Sequence, residues 1–216
     1  MKTENIDYSL YLVTDRGLAR GRSNLDIVTA AVRGGVTIVQ LREKDCSTRD
    51  FIEQAFSIKK FLQNRGIPLI INDRIDVAQA IEADGVHLGQ TDMPLETAKS
   101  ILGDTMIIGI SAECLADAIA AEKGGADYLG VSPIYATPTK TDTAPALGLE
   151  GLKEICQAVK LPLVGIGGLN RDNAAEIIRK GADGVAVVSA IVAADDPETA
   201  SRELKQAINE AQQTCA

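Results

Sequence analysis

The chain has 216 residues, enough to bury one substantial core, and sets 22 Lys and Arg against 30 Asp and Glu for a formal net charge of -8. A molecule of that sign repels polyanions, which excludes nucleic acid as a general partner and leaves any phosphorylated ligand to be held by a local cluster of donors. No stretch approaches the apolar length of a membrane span, and the opening MKTENIDYSL lacks the apolar centre of a signal peptide, so no membrane partner and a cytoplasmic setting are expected.

Along the chain, short apolar β-branched runs end in polar or glycine residues and are followed by apolar positions at helical spacing. They predict strands at 10–15 (LYLVTD), 37–43 (TIVQLRE), 68–73 (PLIIND), 85–90 (GVHLGQ), 106–111 (MIIGIS), 128–133 (YLGVSP), 162–168 (PLVGIGG) and 184–190 (GVAVVSA). Helices are predicted at 24–35, 47–66, 74–83, 94–103, 112–125, 149–159, 170–181 and 198–211, with Asn24, Ser47 and Asn170 as caps and a frayed tail after 211. Related phrases (GGVTIVQ, DGVHLG, GADYLGV, GADGVAV) recur at four helix-to-strand joints, a weak internal repeat. Strands flanked by helices on both sides imply parallel pairing, and eight such units predict a (β/α)8 TIM barrel, a single catalytic domain over 1–216. A doubly wound open sheet fits less well, because the first strand-to-helix turn has no dinucleotide loop. Cys46, Cys114, Cys156 and Cys215 form no CxxC pair and His87 stands alone, so reduced thiols are expected, not a zinc set.

Barrels of this kind work at the carboxyl ends of their strands, and the polar residues concentrate there. Alternation sends Gln40, Arg42 and Lys44 to one side of the second strand, as either a phosphoryl-binding trio or a salt-bridge cluster. Asp73 and Asp92 follow the third and fourth strands. Each alone suits a local role, capping the helix from 74 or steadying the turn before Pro94. Together they suit a Mg²⁺ site shared with a pyrophosphate. Gly165-Ile166-Gly167-Gly168, before the helix at 170 and beside Ser189 of the last strand, fits a phosphate held against backbone amides. The stretch from Pro133 to Gly148, with Lys140, reads as a substrate lid or a solvated loop. His87, inside the fourth strand, is as well explained by a structural hydrogen bond as by catalysis and is left without a role.

Taken in order, YLVTDR (11–16), VQLREK (39–44), INDR (71–74), GVHLGQTD (85–92), GIS (109–111), GVSPIYATPTKTDT (130–143), GIGG (165–168) and VVSAI (187–191) resemble the motifs of the thiamine-phosphate synthase family over nearly the whole chain. The resemblance implies an enzyme, a transferase of thiamine biosynthesis, that joins 4-amino-2-methyl-5-pyrimidinylmethyl pyrophosphate to 4-methyl-5-(2-phosphooxyethyl)thiazole and releases pyrophosphate. It further implies that Gln40, Leu41, Arg42, Glu43, Lys44, Asn72, Ser111 and Lys140 hold the pyrimidine pyrophosphate, and that Arg42, Lys44 and Lys140 meet the charge of the leaving group. Asp73 and Asp92 would hold Mg²⁺, while Thr137, Pro138, Thr139, Gly168, Val188 and Ser189 would receive the thiazole phosphate. Ala136 stands where the family often has proline. A related thiazole tautomerase shares the barrel but has no pyrophosphate to expel, and QLREK, the Asp73 and Asp92 pair and TPTKT argue against it.

Overall fold

The computed structural model describes residues 6–137 and 145–215. In it the apolar runs form eight parallel strands: β1 (Leu10–Val13), β2 (Ile38–Leu41), β3 (Leu69–Asn72), β4 (Gly85–Leu88), β5 (Ile107–Ala112), β6 (Tyr128–Val131), β7 (Leu163–Ile166) and β8 (Gly184–Val187). Each pairs with the next, and β8 returns to β1, so the sheet is closed. Around it lie α1 (Asn24–Arg33), α2 (Thr48–Gln63), α3 (Ile75–Ile81), α4 (Leu95–Leu102), α5 (Leu115–Gly124), α6 (Gly148–Ala158), α7 (Arg171–Arg179), α8 (Ser189–Val192) and α9 (Pro197–Cys215). The expected (β/α)8 barrel is the observed one. No helix among the described residues is long and apolar enough to cross a membrane.

Alternation divides each strand between two apolar environments. Leu10, Leu12, Val39, Leu41, Leu69, Ile71, Val86 and Leu88 face the helices, whereas Tyr11, Val13, Ile38, Ile70, Ile107, Tyr128, Val164 and Ala186 fill the interior. Gly109 faces inward opposite Tyr128, and a Cβ there would overlap the tyrosine ring. Gly109→Ala is therefore expected to cost about 1–3 kcal/mol of stability, read as a lower urea midpoint; an unchanged midpoint would show that the ring has room to move.

The weak repeat has a physical explanation. At the amino ends of the strands, the residue that precedes an even-numbered strand accepts a hydrogen bond from an amide at the start of the odd-numbered strand before it. Leu10 donates to Thr37 Oγ1 at 3.1 Å, Leu69 to Asp84 Oδ2 at 2.8 Å, Ile108 to Asp127 Oδ2 at 2.7 Å and Leu163 to Asp183 Oδ2 at 2.8 Å. These acceptors are the Thr and Asp of the recurring phrases, so the repeat satisfies amides at the start of four strand pairs.

Three local expectations need correction. Ser23, not Asn24, caps α1, accepting from the Asp26 amide at 3.1 Å. Asn24 is buried and donates instead to Glu43 Oε1 at 2.5 Å and Gln54 Oε1 at 3.1 Å. The last run is not one strand to 190: the ladder stops at Val187, and residues from Ser189 form a single helical turn that buries Ile191 and Val192. The tail is not frayed after 211, because α9 continues to Cys215 with Leu204, Ile208 and Ala211 buried against the body of the protein. Ser47 and Asn170 cap α2 and α7 as expected.

Candidate active site

At the carboxyl ends of the strands the barrel opens into a cavity of about 350 Å³. Its floor is polar. Gln40 from β2 donates through Nε2 to the Tyr11 hydroxyl at 2.9 Å, and that hydroxyl lies 2.8 Å from the Tyr128 hydroxyl. His87 bridges onward, with Nδ1 2.9 Å from Tyr128 and Nε2 3.0 Å from Ser111 Oγ. Burial pushes both phenols well above their ordinary pKa, which keeps them neutral across the working range. Asn72, buried at the end of β3, lines the same cavity.

One wall carries the charges. Beyond the end of β2 the chain keeps its alternation, so Arg42 and Lys44 turn toward the cavity with Gln40. The Arg42 backbone amide donates to Thr14 Oγ1 at 3.0 Å, and its guanidinium donates to Asp15 Oδ2 at 2.9 Å. Lys44 Nζ reaches Asp73 Oδ2 at 2.6 Å. Asp73 itself has φ of 59°, a left-handed conformation that side chains other than glycine's enter at a cost, and its amide donates to the His87 carbonyl at 2.9 Å. Burial and the neighbouring Asp92 carboxylate raise the pKa of Asp73, against the opposing pull of Lys44. Asp92 accepts from the Gly89 amide at 2.7 Å through Oδ2. The side chains of Leu41 and Glu43 are not brought into this group: Leu41 is buried under the helices and Glu43 is held by Asn24, so ligand contact at those positions would have to come from backbone.

The opposite wall is built from backbone. Gly167 and Gly168 have φ of 103° and 68°, and the turn is pinned to the loop after β6 by Ile134 N to Ile166 O at 3.0 Å and Tyr135 N to Gly167 O at 3.1 Å. The first turn of α7 supplies little to a ligand, because Asn170 and Asn173 close a capping box over it. The cavity lining on this side comes from the glycine turn and from the end of β8, where Val188 and Ser189 open α8. Thr137 also lines the cavity. Pro138, Thr139 and Lys140 lie outside the described residues.

Sequence reasoning passed over Tyr11, Tyr128, Asp15 and Glu113, all of which line the cavity. For the tyrosines a signal existed: a tyrosine at an inward strand position usually finds a partner for its hydroxyl, and alternation also turns Gln40 and His87 inward. Among the described residues no cluster of three or more His, Cys, Asp or Glu is arranged to hold a metal; Asp73 and Asp92 stand as a pair.

A closed (β/α)8 barrel with a polar floor and a charged wall at the carboxyl ends of its strands has the construction of a barrel enzyme whose site lies in the loops of that face. The chain belongs to the thiamine monophosphate synthase family, whose model matches residues 10–191, and with it to the transferases of thiamine biosynthesis. It is 51% identical to the thiamine-phosphate synthase of Chloroflexus aurantiacus over 96% of this chain and 96% of that protein. With the thiamine-phosphate synthase of Syntrophomonas wolfei it shares 54% identity over 94% of this chain and 97% of the relative. Among solved structures, a thiamine phosphate pyrophosphorylase from Pyrococcus furiosus superposes with a TM-score of 0.89 at 41% identity, covering 95% of this chain and 98% of that one.

Proposed function

We propose that the whole chain acts as one catalytic unit, in the cytoplasm, that joins 4-amino-2-methyl-5-pyrimidinylmethyl pyrophosphate to 4-methyl-5-(2-phosphooxyethyl)thiazole by a dissociative displacement. The observation that carries this reading is the division of one cavity into a charged wall, with Arg42, Lys44, Asp73 and Asp92, and a backbone wall at Gly168, Val188 and Ser189. Two walls of different chemistry suit two phosphorylated substrates, one with a leaving pyrophosphate and one anchored by a monophosphate. Gln40, Asn72 and Ser111 take the pyrimidine end of the first substrate, and Lys140 joins Arg42 and Lys44 on its pyrophosphate. Backbone at Leu41 and Glu43 completes that side, and Thr137 to Thr139 complete the thiazole phosphate site.

The bond from the pyrimidine methylene to the pyrophosphate oxygen breaks with its electron pair leaving on pyrophosphate, and the electron-rich aminopyrimidine ring shares the resulting positive charge. The thiazole nitrogen lone pair then forms the new C–N bond, and no side chain has to act as nucleophile. Arg42, Lys44 and Lys140 stabilise charge as it develops on the leaving group. Anchoring the distant phosphate at Gly168, Val188 and Ser189 orients the thiazole nitrogen. Two like-charged carboxylates that perturb one another fit a divalent cation, and a hard ion that prefers few protein oxygens with waters and phosphates fits the pair. Asp73 and Asp92 would thus hold Mg²⁺, whose chemistry when bound is charge neutralisation on pyrophosphate.

The test mixes purified protein with both substrates and follows thiamine phosphate and pyrophosphate. Equal release of both, stopped by a chelator and restored by Mg²⁺, is expected; neither product appearing would end the proposal. Lys140→Ala is expected to lower turnover roughly 10²-fold with a smaller change in KM for the thiazole phosphate. Unchanged turnover with both constants equally raised would make Lys140 a general loop contact.

A further inference from the structure

Five polar side chains cross the barrel floor as one hydrogen-bond chain: Gln40, Tyr11, Tyr128, His87 and Ser111. Each hydroxyl has a single hydrogen, and a neutral imidazole carries a single N–H. With Gln40 donating its amide to Tyr11, one arrangement gives each buried hydroxyl hydrogen an acceptor within the chain, and that requirement sets the later links. Tyr11 donates to Tyr128, Tyr128 donates to His87 Nδ1, and the imidazole hydrogen is left on Nε2, from which it is donated to Ser111. The Ser111 hydroxyl hydrogen then turns toward the cavity, and Gln40 presents Oε1 there as an acceptor. The chain therefore couples its two ends: one offers an acceptor and the other a donor. Both tyrosines are almost completely buried and stay neutral, so neither link is lost to ionisation.

We infer that Tyr11, Tyr128 and His87 are positioning residues for pyrimidine recognition, fixing Gln40 as acceptor and Ser111 as donor to match the exocyclic amine and adjacent ring nitrogen of an aminopyrimidine. This rests on the substrate reading above. The matching 4-oxo pyrimidine carries the opposite pattern, a carbonyl beside a ring N–H, and would pair only after the Gln40 amide turned over, both phenols reversed and His87 changed tautomer. The direction of the chain is thus a specificity device, acting through groups that need not touch the ring themselves.

His87 is the single histidine of the chain, so ¹⁵N NMR of the untagged, ¹⁵N-histidine-labelled protein reports its tautomer without assignment. At mildly alkaline pH, where imidazole is neutral and a glutamate ionised, the ligand-free parent should show hydrogen on Nε2. Gln40→Glu replaces the donor with an acceptor several bonds away, and should reverse the chain and move the hydrogen to Nδ1. Adding Tyr128→Phe to that variant should abolish the effect of position 40 on the tautomer. Tyr11→Phe breaks the same chain one link earlier and serves if the substitution at 128 prevents folding. In the single Tyr128→Phe variant, the preference for the 4-amino over the 4-oxo pyrimidine pyrophosphate should fall roughly tenfold, the size of one hydrogen bond. A parent tautomer on Nδ1, a tautomer indifferent to Gln40→Glu, or an unchanged preference would each overturn the inference. Failure of the aminopyrimidine pyrophosphate to bind the parent would instead remove the substrate reading, while the ligand-free spectra would still decide whether the chain is coupled.

Discussion

Asp73→Gly is expected to give a protein that, at neutral pH, melts no lower than the parent but turns over at least roughly 10²-fold more slowly. The two halves of that result have separate causes. Asp73 has φ of 59°, which glycine adopts without the steric penalty of a Cβ, so the backbone gains about 1 kcal/mol by the change. Its ion pair with Lys44 joins a side chain 51% exposed to one 20% exposed, and a pair this close to solvent contributes little. Linkage acts in the same direction. Burial and Asp92 raise the pKa of Asp73, so the folded state holds the proton more tightly than the unfolded chain. The stability this confers is present below the ordinary carboxylate range and is lost as pH rises through the raised pKa. At neutral pH the ionised group is therefore a cost that glycine removes, and the advantage of the variant over the parent should shrink in acid. The loss of turnover comes from removing one of two carboxylates proposed to hold Mg²⁺. Asp73→Asn, which tolerates the same backbone and keeps the size, should be equally slow. Melting curves across pH together with turnover across Mg²⁺ concentration check both halves; full turnover at low Mg²⁺ would take Asp73 out of the metal site.

Much of this site was legible because strand alternation is a strict rule. It brought Gln40, Arg42 and Lys44 to one side from sequence spacing alone, and the cavity wall has the same three side chains. What stayed hidden depended on where hydrogen bonding stops. The run GVAVVSA is apolar but for Ser189, and periodicity does not distinguish a strand from the first turn of a buried helix over so short a span, so α8 was absorbed into β8. Asn24 follows a serine at a helix start, and either residue type caps; the choice was made by the buried Glu43 carboxylate, a tertiary partner that no local window contains. Tyr11 and Tyr128 read as apolar core, which their burial justifies, while their hydroxyls join residues 117 positions apart in sequence. The left-handed backbone at Asp73 had no signal, since glycine is the residue that announces it.

Ser189→Asp is expected to raise KM for the thiazole phosphate by at least roughly 10²-fold and to leave KM for the pyrimidine pyrophosphate nearly unchanged. Gly168 is the obvious place to block that phosphate, but it is a poor probe. A Cβ there would lie 2.8 Å from Tyr135 Cβ and 3.1 Å from the Ala136 carbonyl oxygen, at φ of 68°, so a side chain would strain the turn and push the loop after β6 whether or not a phosphate binds. Ser189 is exposed and opens α8. A carboxylate at the first position of a helix is favourable in itself, because it faces the positive end of the peptide dipoles, so the variant should fold at least as well as the parent. Toward a phosphate the same charge is repulsive: two unit charges about 4 Å apart interact by about 4 kcal/mol at the effective dielectric of a protein surface, and even half of that is more than tenfold in affinity. Ser189→Ala separates charge from the loss of the hydroxyl and should cost far less. Both Michaelis constants measured in both variants decide the allocation of the two walls. If Ser189→Asp raises the pyrimidine constant and spares the thiazole one, the phosphates are assigned the wrong way round; if it spares both, the opening turn of α8 binds neither.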